Sequence, residues 1–161
     1  MKKIIAVILC LVMLLSLAAC GKSAEEEAST LGQMLYKEFC AKVNDGEKDV
    51  QALADGLLAS GMLPFDGLSA EVQPGWLMGF SADIEGFEKA VVFAPAIGAI
   101  PFVGYVFQLE SAELCEDFCA KLLENADPRW NICTEADETV CGSIENLVFF
   151  VMCSNESADA E

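Results

Sequence analysis

Residues 90–109 carry no charge, and that run limits the folds open to the chain. A span of this length is either a membrane crossing or the buried interior of a sheet. Pro95, Gly98, Pro101 and Gly104 interrupt it in the middle, where a continuous helix would lose hydrogen bonds and helix propensity. On either side stand Val91, Val92 and Phe93, then Phe102, Val103, Tyr105, Val106 and Phe107. These β-branched and aromatic side chains suit a packed, pleated surface. Pro and Gly also occur in genuine membrane helices, so a crossing is the competing reading. The residues favour two buried strands joined around residues 95–99.

The flanking sequence supplies helices and further strands. Leu31, Met34, Leu35, Phe39 and Val43 recur at helical spacing and predict a helix over 31–43, which Asn44-Asp45-Gly46 ends. Val50, Leu53, Leu57 and Leu58 form the stripe of a second helix over 47–59. Pro64, Gly67, Pro74 and Gly75 mark a loop-rich connection over 61–75, followed by a short apolar strand at 76–80. Ser111 is placed to cap a third helix, with Glu113, Glu116 and Asp117 near its positive end. Its buried stripe is Leu114, Cys115, Phe118, Cys119 and Leu122, and it ends near Asp127-Pro128. Strands are expected over 130–134, 139–144 and 147–152, separated by polar turns. The expected product is one α+β domain over 31–153, a largely antiparallel sheet covered on one face by about three helices. Residues 154–161 form a polar, acidic tail that is expected to be disordered.

Ahead of this domain lies a different kind of segment. Met1-Lys2-Lys3 opens with positive charge, and residues 4–17 are apolar apart from Ser16 and Cys10. That core suits a signal peptide, whereas a spanning helix wants about 20 apolar residues. It closes on Leu17-Ala18-Ala19-Cys20, small residues before a cysteine, followed by Gly21. This motif resembles the lipobox of bacterial lipoproteins. The resemblance implies a signal peptide over 1–19, cleavage between Ala19 and Cys20, and lipidation of the Cys20 sulfur. Residues 20–30 then become the lipidated N-terminus and an acidic tether too poor in apolar groups to order itself. The expected location is the extracytoplasmic face of the bacterial cell membrane, with membrane lipid as the first partner through acylated Cys20. Two acyl chains hold stably where one binds only reversibly, since each buried CH₂ contributes about 0.8 kcal/mol.

The later domain also resembles small uncharacterised envelope lipoproteins of Gram-positive bacteria. Ala90-Val91-Val92-Phe93-Ala94-Pro95, the helix that follows, and the closing run Gly142-Ser143-Ile144-Glu145-Asn146-Leu147-Val148-Phe149-Phe150-Val151-Met152 carry that likeness. It covers roughly residues 76–153 and implies no activity.

Charge and residue usage narrow the function. All 26 acidic residues follow Cys20, so the cleaved chain has seven basic residues and a formal net charge of −19. Such a surface repels phosphate backbones and anionic headgroups, which argues against nucleic acid as a partner. Solubility is the plain reading of the acidity; calcium or a basic partner is the sharper one. Histidine is absent, which removes the usual near-neutral acid–base group and every Ser-His or Cys-His arrangement. Asp83 and Glu85 sit together in an expected turn, where carboxylates are common for solvation, and no catalytic residue or cofactor is assigned.

Six cysteines remain after the leader and Cys20: Cys40, Cys115, Cys119, Cys133, Cys141 and Cys153. Cys115 and Cys119 share a helix face with Phe118 and Leu122, which favours core packing over zinc binding. A fold-back around Asp137 would oppose Cys133 and Cys141 across antiparallel strands, making them the candidate disulfide. The function expected is a nonenzymatic binding or assembly-accessory domain with an envelope protein partner. The alternative is a small-molecule-binding lipoprotein of a transport or sensing system, with Trp76, Trp130, Tyr36 and Tyr105 as pocket candidates.

Overall fold

The computed structural model describes residues 30–97 and 100–154; the leader, the lipobox and nearly all of the tether and tail lie outside them. Helix α1 spans Leu31–Asn44 and α2 spans Val50–Leu58. Strand β1 covers Gly67–Val72, β2 Lys89–Pro95 and β3 Val103–Gln108. A single 3₁₀ turn, Ala112–Leu114, leads into α3 at Cys115–Asn125. Strands β4, Glu138–Ile144, and β5, Leu147–Cys153, close the chain. The sheet order is β1-β2-β3-β5-β4, and every neighbouring pair is antiparallel. The fold is α+β, as the sequence leads one to expect.

Side chains hold the backbone at the starts of α1 and α2, whereas the Ser111 side chain makes no capping bond to the turn before α3, and α3 itself starts without a side-chain cap. Thr30 caps α1, its hydroxyl accepting a hydrogen bond from the Gln33 amide, and Asp49 caps α2 by accepting from Ala52. Glu138, at the start of edge strand β4, adds a tertiary cap. Its carboxylate accepts from the Thr30 hydroxyl and, at 3.0 Å, from the Gly32 amide. A negative group at the helix N-terminus meets the unsatisfied amides and the positive end of the dipole. The buried Cys153 thiol donates to the same carboxylate at 3.4 Å, which joins α1, β4 and β5 at one point.

The helices are divided between two faces of the sheet, which differs from the single covered face expected. Phe39 of α1 and Leu53 and Leu57 of α2 pack with Val91, Phe93, Phe149 and Val151. On the other face Phe118 and Leu122 of α3, with Phe80, Ile84 and Phe87 from the β1–β2 connection, pack with Tyr105, Phe107, Phe150 and Met152. The cause lies in β5, all seven of whose residues are buried. Side chains alternate between faces along a strand, so an unbroken apolar run needs cover on both. A single-faced arrangement would leave Phe150 and Met152 in water.

Local assignments differ in three places. The apolar run forms a β2–β3 hairpin as expected, and among the described residues no helix is long and apolar enough to cross a membrane. Strand β1, however, falls inside the expected loop at 61–75. Its sequence is a weak strand former, and pairing along β2 supplies its order. Residues 76–80 and 130–134 are turns instead of strands. The first is pinned by isolated bridges between Gly75 and Ile84 and between Phe80 and Ala126. In the second, the Trp130 amide donates to the Asp127 carbonyl, and the Asp127 side chain accepts from the Arg129 amide. Turn chemistry at Asp127-Pro128 overrides the β preference of Trp130 and Ile132.

Candidate functional site

Three connections converge on a cleft of about 420 Å³. They are residues 76–80, the β2–β3 connection, and the segment after α3. Phe80 and Phe102, 4% and 2% exposed, form its floor, and Trp76, Met78, Ile100 and Trp130 its walls. Asp127 and Asn131 contribute the polar groups of the lining.

The floor is anchored by aromatic packing: the Phe80 ring centroid lies 4.8 Å from Phe150 and 5.6 Å from Tyr105. Buried Tyr105 carries a polar atom that needs a partner, and its hydroxyl donates to the Met78 carbonyl at 2.7 Å. Burial raises the pKa of this phenol well above the usual range, so it is a fixed donor. The Asp127 amide donates to the Gly79 carbonyl at 2.9 Å, and the Ser81 amide to Asn125 at 2.9 Å. These bonds tie the first wall of the cleft to the end of α3, which begins the opposite wall.

Gly79 makes the turn possible. Its φ is +91°, and a Cβ there would stand 2.8 Å from Met152 Cε and 3.0 Å from Val103 Cγ1. A side chain would therefore meet both backbone strain and the packed sheet.

The cleft is built from groups that water does not favour. Trp76 is 72% exposed, and Met78 and Ile100 are also exposed. Ile97 and Ile132 are exposed on the same connections. Elsewhere among the described residues, large exposed apolar side chains stand singly, as at Leu68, Leu114 and Leu123. Isolated cases are ordinary, whereas a concentration around a concavity marks a contact surface.

Of the four aromatic pocket candidates, the cleft brings together Trp76 and Trp130, with Tyr105 behind its wall. Tyr36 instead packs on Phe39 and Phe149 beneath α1, on the opposite face. Met78, Phe80, Ile100 and Phe102 were not legible as cleft residues: Met78, Phe80 and Phe102 read as members of apolar strands, and the only further signal was their nearness to Gly and Pro. Asp83 and Glu85 lie in an exposed loop outside the lining.

All six cysteines of the domain are free thiols. The hairpin that would oppose Cys133 and Cys141 is not formed. Cys141 lies on β4 opposite Phe150 of β5, while Cys133 is exposed in the turn segment after α3. Cys115 and Cys119 pack into the core on the α3 face, as their shared stripe implies. Among the described residues, no group of three or more Cys, Asp or Glu side chains is arranged to hold a metal ion. Ala19 and Cys20 lie outside the described residues.

The chain matches no known protein family, and no curated protein or solved structure is significantly similar to it.

Proposed function

We propose that this chain is a bacterial envelope lipoprotein whose domain is a nonenzymatic binding module. On this reading acylated Cys20 holds it to the membrane, and the Trp76–Trp130 cleft receives a large apolar side chain of a basic envelope protein. The exposed Trp76 at the mouth of an apolar cleft is the observation that carries the reading. Tryptophan offers a large contact area with few rotors to freeze, which is why it dominates the energetics of many interfaces. The acidity favours the charge of the partner: a net −19 after cleavage attracts basic proteins to the domain and repels anionic headgroups. The tether sets the reach. Residues 20–30 extend to roughly 35 Å at most, which keeps the domain close to the bilayer and raises its local concentration for membrane-bound partners.

A photo-crosslinking residue in place of Met78, in the full lipidated chain and its native membrane, tests the contact. The same residue in place of Leu123 on α3 is the control. A basic protein should be captured from position 78 and not from 123. Trp76→Ala should abolish the adduct, and raised salt should weaken it. Identical adducts from both positions, or adducts indifferent to Trp76→Ala, overturn the proposal. A metabolite copurifying in the cleft would instead favour a small-molecule binder, for which the volume suffices. The anchor is tested separately by mass spectrometry of the membrane-bound chain, whose N-terminus should be Cys20 with acyl chains on its sulfur. Recovery of protein that still begins at Met1 with an unmodified Cys20 sulfur refutes it.

A further inference from the structure

We propose that edge strand β1 accepts an extended segment of a basic protein as an added strand of the sheet. β1 ends the sheet on its side, and its register with β2 runs without a bulge from Gly67 opposite Pro95 to Val72 opposite Ala90. Along an antiparallel strand, residues alternate between turning both backbone groups toward the neighbour and both away. The Ala96 amide donates to the Asp66 carbonyl at 2.9 Å, which fixes the phase. Leu68, Ala70 and Val72 therefore bond to β2, while the amides and carbonyls of Gly67, Ser69 and Glu71 face outward. Pro95 fits this phase, since it lies opposite outward-facing Gly67, where β1 requires no N–H from it. Among the described residues, no group bonds to these outward donors and acceptors.

A free edge of this kind is a template for another strand, and folded proteins usually blunt it with Lys, Pro, a bulge or a covering element. β1 contains no Lys, no Pro and no bulge. The opposite edge is treated differently. Helices pack on both faces of β4, and the Tyr36 hydroxyl donates to the Ser143 carbonyl at 3.3 Å.

The charge beside β1 selects what it accepts. Asp55 of α2, Asp66 and Glu71 are all exposed along the edge, and the Ser69 hydroxyl donates to the Asp55 carboxylate. Of the basic residues nearby, Lys42 is paired with Glu38, and Lys89 lies beyond the last paired position. A second copy of this chain would bring the same carboxylates of two chains together, at an electrostatic cost. The tether, with Glu25-Glu26-Glu27, and the acidic tail are repelled for the same reason. A strand carrying Lys or Arg over Asp55 and Glu71 satisfies both the backbone and the charge. Leu68 is the one large apolar side chain of β1 exposed on the other face, so hydrogen bonds and charge carry the contact.

The full chain in neutral detergent is titrated with a short peptide alternating lysine and valine, and amide hydrogen exchange is followed residue by residue by NMR. With peptide at about ten times its Kd, exchange at Gly67, Ser69 and Glu71 should slow about tenfold. Exchange at Leu68, Ala70 and Val72 should change little, because those amides already bond to β2. A glutamate–valine peptide, and the lysine peptide N-methylated at every backbone amide, should have no effect. Ser69→Pro removes an outward donor and no bond to β2, so circular dichroism should stay native while binding is lost. Asp66→Asn combined with Glu71→Gln leaves the backbone intact and should weaken binding about fivefold. Unchanged exchange at the three outward amides, or slowing by either control peptide, overturns the proposal. So does slowing that needs no peptide and grows with protein concentration, the mark of a second copy on this edge. Trp76→Ala should leave the pattern as it is, which separates this edge from the cleft.

Discussion

Gly79→Ala isolates the packing constraint beneath the cleft, because Gly86 provides its control. Both glycines have positive φ, +91° and +103°. A Cβ at Gly86 meets nothing within 4 Å, whereas one at Gly79 stands 2.8 Å from Met152 Cε and 3.0 Å from Val103 Cγ1. Left-handed backbone costs a residue with a Cβ about 1–2 kcal/mol, and the stiffer unfolded chain offsets about 0.4–1 kcal/mol of that. Gly86→Ala should therefore destabilise by about 1 kcal/mol. Gly79→Ala carries the same strain plus an overpacking cost of about 1–3 kcal/mol, because Val103 and Met152 are fully buried in the sheet and cannot withdraw freely. The expected total is about 2–4 kcal/mol. Urea unfolding followed by circular dichroism measures the global loss. Tryptophan fluorescence reports the cleft specifically, since the only two tryptophans, Trp76 and Trp130, both line it. The Gly79 variant should lose its folded-state fluorescence signature as well as stability. If Gly79→Ala costs no more than Gly86→Ala, the close approach of the turn to β3 and β5 does not constrain the chain, and the account of the cleft wall fails.

Tyr105→Phe keeps the ring stack but removes the donor to the Met78 carbonyl; about 1 kcal/mol should be lost in urea unfolding, with altered Trp76 emission. Glu138→Gln removes the charged acceptor shared by Thr30, Gly32 and Cys153, and the unfolding midpoint should fall by the equivalent of about 2 kcal/mol. Burial, helped by the neighbouring Cys40 thiol, pushes Tyr36 up to about 12, and burial raises Tyr105 as well. The folded state thus holds phenol protons that the unfolded state releases near pH 10, so this stabilisation is complete below about pH 10 and declines as pH rises toward 12 and beyond. In a spectrophotometric titration tyrosinate should therefore appear only well above pH 10 or together with unfolding; ionisation of the folded protein at the ordinary value refutes the burial.

Much of the fold was legible because it rests on local periodicity. The stripe Leu35, Phe39 and Val43 requires a helix with one buried face, and α1 and α2 follow from such stripes. The uncharged run forms a hairpin whose first strand ends at Pro95, and β4 and β5 lie close to their expected spans. The cleft was only half legible. Trp76 and Trp130 stood out as large aromatics, but nothing local distinguishes a tryptophan in a core strand from one on a turn. Their neighbours Phe80 and Phe102 are ordinary apolar residues until folding sets them side by side.

The sequence alone determined which segments are helical, which run is buried, the acidic character of the surface and the absence of histidine chemistry. These follow from side-chain spacing and charge, which are local properties. Tertiary structure decided how the helices divide between two sheet faces, that Gly67–Val72 joins the sheet as an edge, and that Cys141 stands opposite Phe150 instead of Cys133. Each of those depends on partners distant in the chain, selected by which apolar surfaces must be covered together, and no window of neighbouring residues records that competition.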